Sequence, residues 1–215
     1  MPEDIRLMNV DLAGPVGLLE GLINASATAA PRAIAVLAHP LPTAGGTMHT
    51  KAVFHAARAL ARIGCPVLRV NFRGVGRSAG TFDNGRGECD DFRAALDFMQ
   101  ARYPGVTHVW SAGMSFGAWV ATTTGARDAR VSALIGIAPP VNKYDFAPLV
   151  QAGKPTFLIH GEFDEIVPVK EVRKFYGQLP EPKELVVIDG ANHLFDGKVT
   201  EVGDAVEDLL QDYDG

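Results

Sequence analysis

Hydrophobic positions fall into short apolar runs, most of them followed by stretches with a helical spacing. The first two runs, Ile5–Leu12 and Gly17–Ile23, are separated only by Ala13-Gly14-Pro15-Val16. A gap that short permits an antiparallel hairpin but no crossover. After a surface loop rich in Ala, Ser and Thr (Asn24 to Pro31), the rhythm changes. Ala33–Ala38 is continuously apolar, Met48–Ile63 has helical periodicity ending at Gly64, and Pro66–Phe72 reads as a strand. Glu88–Arg102 follows as a helix, with Asp90 and Asp91 placed in its first turn to suit the helix dipole. Further strands are predicted at Val106–Ala112, Val131–Ala138, Thr156–His160 and Leu185–Ile188, and further helices at Phe116–Ala126 and Val169–Gln178. A final amphipathic helix, Val199–Tyr213, carries Val202, Ala205, Val206, Leu209 and Leu210 on one face.

Near-continuous apolar strands alternating with helices specify a mostly parallel sheet covered on both faces. The pattern therefore predicts an α/β fold with eight strands, the first two antiparallel. Length, 215 residues, predicts one domain spanning 1–215, large enough to bury a core without metal or disulfide staples. No apolar run approaches the roughly 20 residues that span a bilayer. With 20 basic and 25 acidic residues the net charge is −5, so nothing steers the chain to nucleic acid or to an anionic membrane surface. Two cysteines, Cys65 and Cys89, make no disulfide scaffold, and no Cys/His spacing resembles a metal site. The acidic N-terminus lacks a secretory pattern, so a reducing cytoplasmic location is the default expectation. No cofactor is expected, and a homodimer is left open by the composition.

In sheets of this kind chemistry gathers at the carboxyl ends of the strands. Gly113-Met114-Ser115-Phe116-Gly117 lies between a predicted strand and a predicted helix and has the form of a nucleophile elbow. Small residues two before and two after the serine let strand and helix approach closely, while the turn lifts the hydroxyl above the sheet. Such a serine needs a histidine base and a carboxylate to orient it, in the chain order serine, acid, histidine. Asp164 and His193 each follow a late strand and fit that order; Glu162 is the rival acid. Oxyanion donors are expected at the backbone N–H of Phe116 and of Leu41. In His39-Pro40-Leu41-Pro42 both prolines lack an N–H, which leaves Leu41 as the donor between them. His39 precedes the serine and reads as a structural histidine that bonds the following loop.

These motifs, together with Gly45-Gly46-Thr47-Met48, Arg73-Gly74-Val75-Gly76-Arg77-Ser78 and Gly80-Thr81-Phe82-Asp83, resemble the α/β-hydrolase superfamily along nearly the whole chain. More narrowly the chain resembles small bacterial serine hydrolases related to the dienelactone hydrolases, with serine in place of their cysteine. The last two motifs read as structural. The family pattern often has histidine where Leu41 stands, so a polar contact from that position is lost here. The resemblance implies the α/β-hydrolase fold. Only Val141 to Lys154, 14 residues, separates the sixth strand from Pro155, too few for a helical cap domain. An open site is expected, with Met114, Phe146, Ile166 and Phe195 as apolar pocket candidates that serve equally well as core.

The expected activity is that of a carboxylesterase-type serine hydrolase acting on small to medium esters through an acyl-enzyme. A peptidase or a carbon–carbon hydrolase could use the same three residues, and a silent binding protein could keep the fold. Fold and triad do not choose the acyl group.

Overall fold

A computed structural model of the protein describes residues 5–27 and 30–213. Its strands are β1 (Ile5–Gly14), β2 (Gly17–Ser26), β3 (Ile34–Ala38), β4 (Val67–Val70), β5 (Val109–Met114), β6 (Val131–Ile137), β7 (Thr156–Gly161) and β8 (Lys183–Ile188). Its helices are α1 (Lys51–Arg62), α2 (Arg86–Arg102), α3 (Phe116–Arg127), α4 (Ala147–Ala152), α5 (Val169–Tyr176) and α6 (Val199–Leu210), with a 3₁₀ turn at Pro42–Ala44. The strands form one sheet in the order β1-β2-β4-β3-β5-β6-β7-β8. β2 pairs antiparallel with β1 and β4, and the pairs from β4 through β8 are parallel.

The sheet buries both faces, which is why β3, β4 and β5 are buried along their whole length. On one face α2, α3, α4 and α5 cover a core that includes Phe92, Phe116, Val120, Leu149 and Val172. On the other face α1 and α6 pack over Trp110, Met114, Ile135, Ile159 and Phe195. Each large apolar side chain buried this way contributes about 1.5–3 kcal/mol relative to exposure. No helix among the described residues is long and apolar enough to cross a membrane.

Four departures from the expected elements have local causes. The hairpin gap shrinks to Pro15-Val16, because Leu12↔Leu19, Ala13↔Leu18 and Gly14↔Gly17 stay paired and bury the two leucines at positions 12 and 19. Met48 is excluded from α1 because its backbone is used elsewhere: its N–H donates to Asn71 Oδ1 and its carbonyl accepts from Arg69. β5 runs from Val109 to Met114, not from Val106 to Ala112; Gly113 and Met114 pair with Gly136 and Ile137 of β6. α2 begins at Arg86, so Glu88, and not Asp90 or Asp91, occupies its first turn. Glu88 accepts the N–H groups of Asp83 and Gly85.

Asp91 has a different task. Its carboxylate accepts two bonds from the Arg73 guanidinium, at 3.0 and 2.8 Å, and one from the Arg73 N–H, with both side chains nearly out of solvent. The guanidinium lies so close over the start of α2 that a Cβ at Gly87 would be 1.8 Å from it. Ser78 donates to Asn71 O and accepts from the Glu20 N–H, and Arg77 pairs with Asp11 and Glu20. The Arg73–Ser78 turn is thus a tie between the hairpin, β4 and α2.

Candidate active site

The turn from β5 into α3 is as tight as the sequence implies. Ser115 has φ 52° and ψ −122°, a strained conformation for a side-chain-bearing residue. Its own N–H donates to Ile137 O at 2.8 Å, and its carbonyl accepts from Ala118 and Trp119, so the strain is fixed from both sides. The flanking glycines are steric requirements. A Cβ at Gly113 would sit 2.2 Å from Gly117 O, and one at Gly117 would sit 2.3 Å from His39 O. The second contact also shows what lies beside the elbow: the end of β3 and the loop that carries Leu41.

Three of the expected side chains meet. His193 Nε2 is 2.8 Å from Ser115 Oγ, and His193 Nδ1 is 2.7 Å from Asp164 Oδ2. A carboxylate only accepts, so Nδ1 carries the imidazole proton and Nε2 is free to accept from the serine hydroxyl. Asp164 Oδ1 accepts the N–H groups of Ile166 and Val167 at 2.9 and 2.7 Å. Burial works to raise the Asp164 pKa; the bonds from His193 and Val167 outweigh it and hold the carboxyl below its ordinary value. Glu162, the rival acid, instead accepts the Gly190 N–H, on the exposed side of the loop. Sequence reasoning gave no signal for Glu165, whose Oε2 accepts the His193 backbone N–H at 3.3 Å.

The Leu41 loop is built to hold its shape. Leu41 O accepts from the Ala44 and Gly46 N–H groups, and a Cβ at Gly46 would come within 2.2 Å of Pro40 O. His39, fully buried, anchors the loop's start. Its Nε2 accepts the Phe72 N–H at 3.1 Å, so its proton is on Nδ1, which donates to Pro40 O at 2.6 Å. Burial pushes its pKa down to about 4, partly offset by the Pro40 bond. Among the described residues, neither the Leu41 nor the Phe116 N–H donates to a protein acceptor.

The four pocket candidates fare differently. Met114 and Phe195 are fully buried in the core under α1 and α6, because β5 ends two residues later than expected and carries Met114 into the sheet. Phe146 packs against Phe175, ring centroids 5.5 Å apart, and lines a hollow of about 390 Å³ between α4 and α5 that includes none of Ser115, Asp164 or His193. Ile166 is 40% exposed beside Asp164. Partly exposed aromatic surface lies instead around the buried Phe116 ring, from Phe82, Trp119 and Tyr144. Phe163 and Leu194, next to Asp164 and His193 in the chain, are exposed as well. Nothing in the residue pattern distinguished these side chains from core.

Residues 29–154 match the family described as serine aminopeptidase, S33. An uncharacterized protein of Rickettsia prowazekii is 40% identical over 205 residues, 92% of this chain and 86% of that one. An α/β serine hydrolase homologue from Coxiella burnetii superposes with a TM-score of 0.88 at 38% identity, covering 94% of this chain and 97% of that one. An α/β serine hydrolase without lid from Xanthomonas campestris gives 0.86 at 37% identity, covering 97% and 94%. In this chain the segment between β6 and β7 holds a single helix, the six-residue α4.

Proposed function

The chain belongs to the α/β-hydrolase superfamily of serine hydrolases, and from that premise we propose that it cleaves small to medium carboxylic esters through an acyl-enzyme on Ser115. The observation that carries the reading is the unbroken Ser115–His193–Asp164 chain of bonds at 2.8 and 2.7 Å. His193 Nε2 takes the hydroxyl proton as Ser115 Oγ attacks the ester carbonyl carbon. Asp164, held ionised, keeps the imidazole in the accepting tautomer and stabilises the imidazolium. The Leu41 and Phe116 N–H groups receive the oxyanion at the mouth of α3, whose N-terminus favours negative charge. The tetrahedral intermediate collapses with the carbon–oxygen bond breaking, and His193 returns the proton to the leaving alcohol. Water then repeats the sequence on the acyl-enzyme and releases the acid.

Ester specificity rests on the surroundings. Aminopeptidase action needs a carboxylate to hold a free ammonium group. The surface near the triad exposes Phe163, Ile166 and Leu194 and is uncovered by a cap, which suits acyl and alkoxy groups of modest size. A panel of p-nitrophenyl esters from acetate to palmitate, with leucine p-nitroanilide beside it, tests this. Acetate to hexanoate should give the highest kcat/KM, with no jump in rate at the substrate's micelle concentration. Turnover of the anilide with idle esters would replace the esterase reading with the peptidase one.

A further inference from the structure

His160 is a buried imidazole that the triad does not use. It stands near the end of β7, four residues before Asp164, and is fully excluded from solvent. Its Nε2 lies 2.8 Å from Val167 O. A carbonyl only accepts, so Nε2 carries a proton, and in the neutral imidazole Nδ1 is then bare. That Nδ1 is buried with no hydrogen-bond partner.

The bond closes a ring around the acid. Asp164 Oδ1 accepts the Val167 N–H, and the Val167 carbonyl accepts the His160 N–H, so both polar groups of one peptide residue are tied, one to each side chain. The same His160 Nε2 is 3.5 Å from Asp164 Oδ2, too far for a good hydrogen bond but close enough for a charge there to matter. Oδ2 is the oxygen that holds His193. The titratable groups acting on His160 are Asp164, which favours its protonation, and His193, which opposes it; burial acts against protonation more strongly than either and lowers its pKa.

We propose that His160 is a positioning residue for Asp164, working as an uncharged imidazole with its proton fixed on Nε2. Through Val167 it holds the turn that aims the carboxylate. By staying neutral it leaves the Asp164 charge to His193. An imidazolium at position 160 would compete for Oδ2 and would repel the imidazolium that His193 becomes during each half-reaction. The bare Nδ1 enforces neutrality, because a proton there would be a buried N–H without an acceptor. This assignment rests on the triad reading above.

Two measurements test it. In ¹⁵N-labelled protein, side-chain NMR from about pH 5 to about pH 8, with His160 assigned by its loss in the His160→Gln variant, reads the tautomer directly. His160 should remain Nε2–H and uncharged throughout. An Nδ1–H tautomer, or protonation of His160 within that range, overturns the proposal, and this readout needs neither activity nor a folded Leu variant. The second measurement is the pH profile of ester hydrolysis. His160→Gln can place an amide N–H on Val167 O and should stay within about fivefold of the parent, while His160→Leu loses the bond and should lose about 10- to 100-fold, mainly in kcat. In His160→Leu the lower pH limb should also move to lower pH, because a poorly aimed carboxylate supports the His193 imidazolium less. Parent-like kcat and limb in His160→Leu would overturn the proposal. If the parent hydrolyses no ester at all, the esterase reading fails while the NMR result still stands or falls separately.

Discussion

Acid should loosen the protein through His39, and the size of the effect can be worked out. The imidazole accepts the Phe72 N–H and holds the start of the Leu41 loop, with its pKa depressed from 6.5 to about 4. Between those values the unfolded chain binds the proton and the folded chain does not. Unfolded protein therefore holds more protons, and stability falls as pH falls through that interval. Above 6.5 the group costs nothing; below about 4 the loss is complete. Each pH unit in between is worth up to about 1.4 kcal/mol, so going from about pH 7 to about pH 4.5 should remove roughly 2.5 kcal/mol. Protonation also turns Nε2 into a donor facing another donor. Urea denaturation at both pH values, for the parent and for His39→Gln, measures it. Glutamine does not titrate and its carbonyl can accept the Phe72 N–H, so the variant should be less stable at neutral pH yet lose roughly 2.5 kcal/mol less on acidification. His160 and Asp164 contribute equally to both proteins and cancel in that difference. Equal losses in parent and variant would refute the reasoning.

Asp164→Asn should lower kcat on the order of 10³- to 10⁴-fold, while Glu162→Gln stays near the parent, as read from ester hydrolysis; the reverse result would move the acid to Glu162. Asp91→Asn strands the buried Arg73 guanidinium and should cost about 3 kcal/mol or more, read as a fall in Tm of roughly 6–12 °C. Asp90→Asn, on the exposed pair with Arg93, should change Tm by no more than roughly 2 °C; a similar fall for both would mean that burial is not what makes the first pair matter.

Strand count, sheet class and the meeting of Ser115, Asp164 and His193 could be read from the chain because each depends on local pattern. Continuous apolar runs mark strands buried on both faces, and Gly113, Ser115 and Gly117 mark a turn that few other residues could make. What escaped depends on contacts between distant residues. Six residues with Pro148 among them, Ala147–Ala152, are too few to show helical periodicity. Met114 and Phe195 read equally as pocket or core from their places beside Ser115 and His193, because periodicity cannot say which side of a turn faces solvent; both belong to the core. The pairing of Asp91 with Arg73, the hold of Glu165 on His193, and the bond of His160 to Val167 all join groups whose meeting only the fold creates.

A crystal structure of the protein after reaction with an alkyl p-nitrophenyl phosphonate tests the central claim most directly. Phosphorus should be bonded to Ser115 Oγ, and the phosphonyl oxygen should lie about 2.7–3.1 Å from both the Leu41 and the Phe116 nitrogens, with His193 Nε2 toward the oxygen where the alcohol leaves. An adduct on Ser78 or Ser111, or an oxygen held by the His39 ring with the Leu41 nitrogen turned away, would contradict the account.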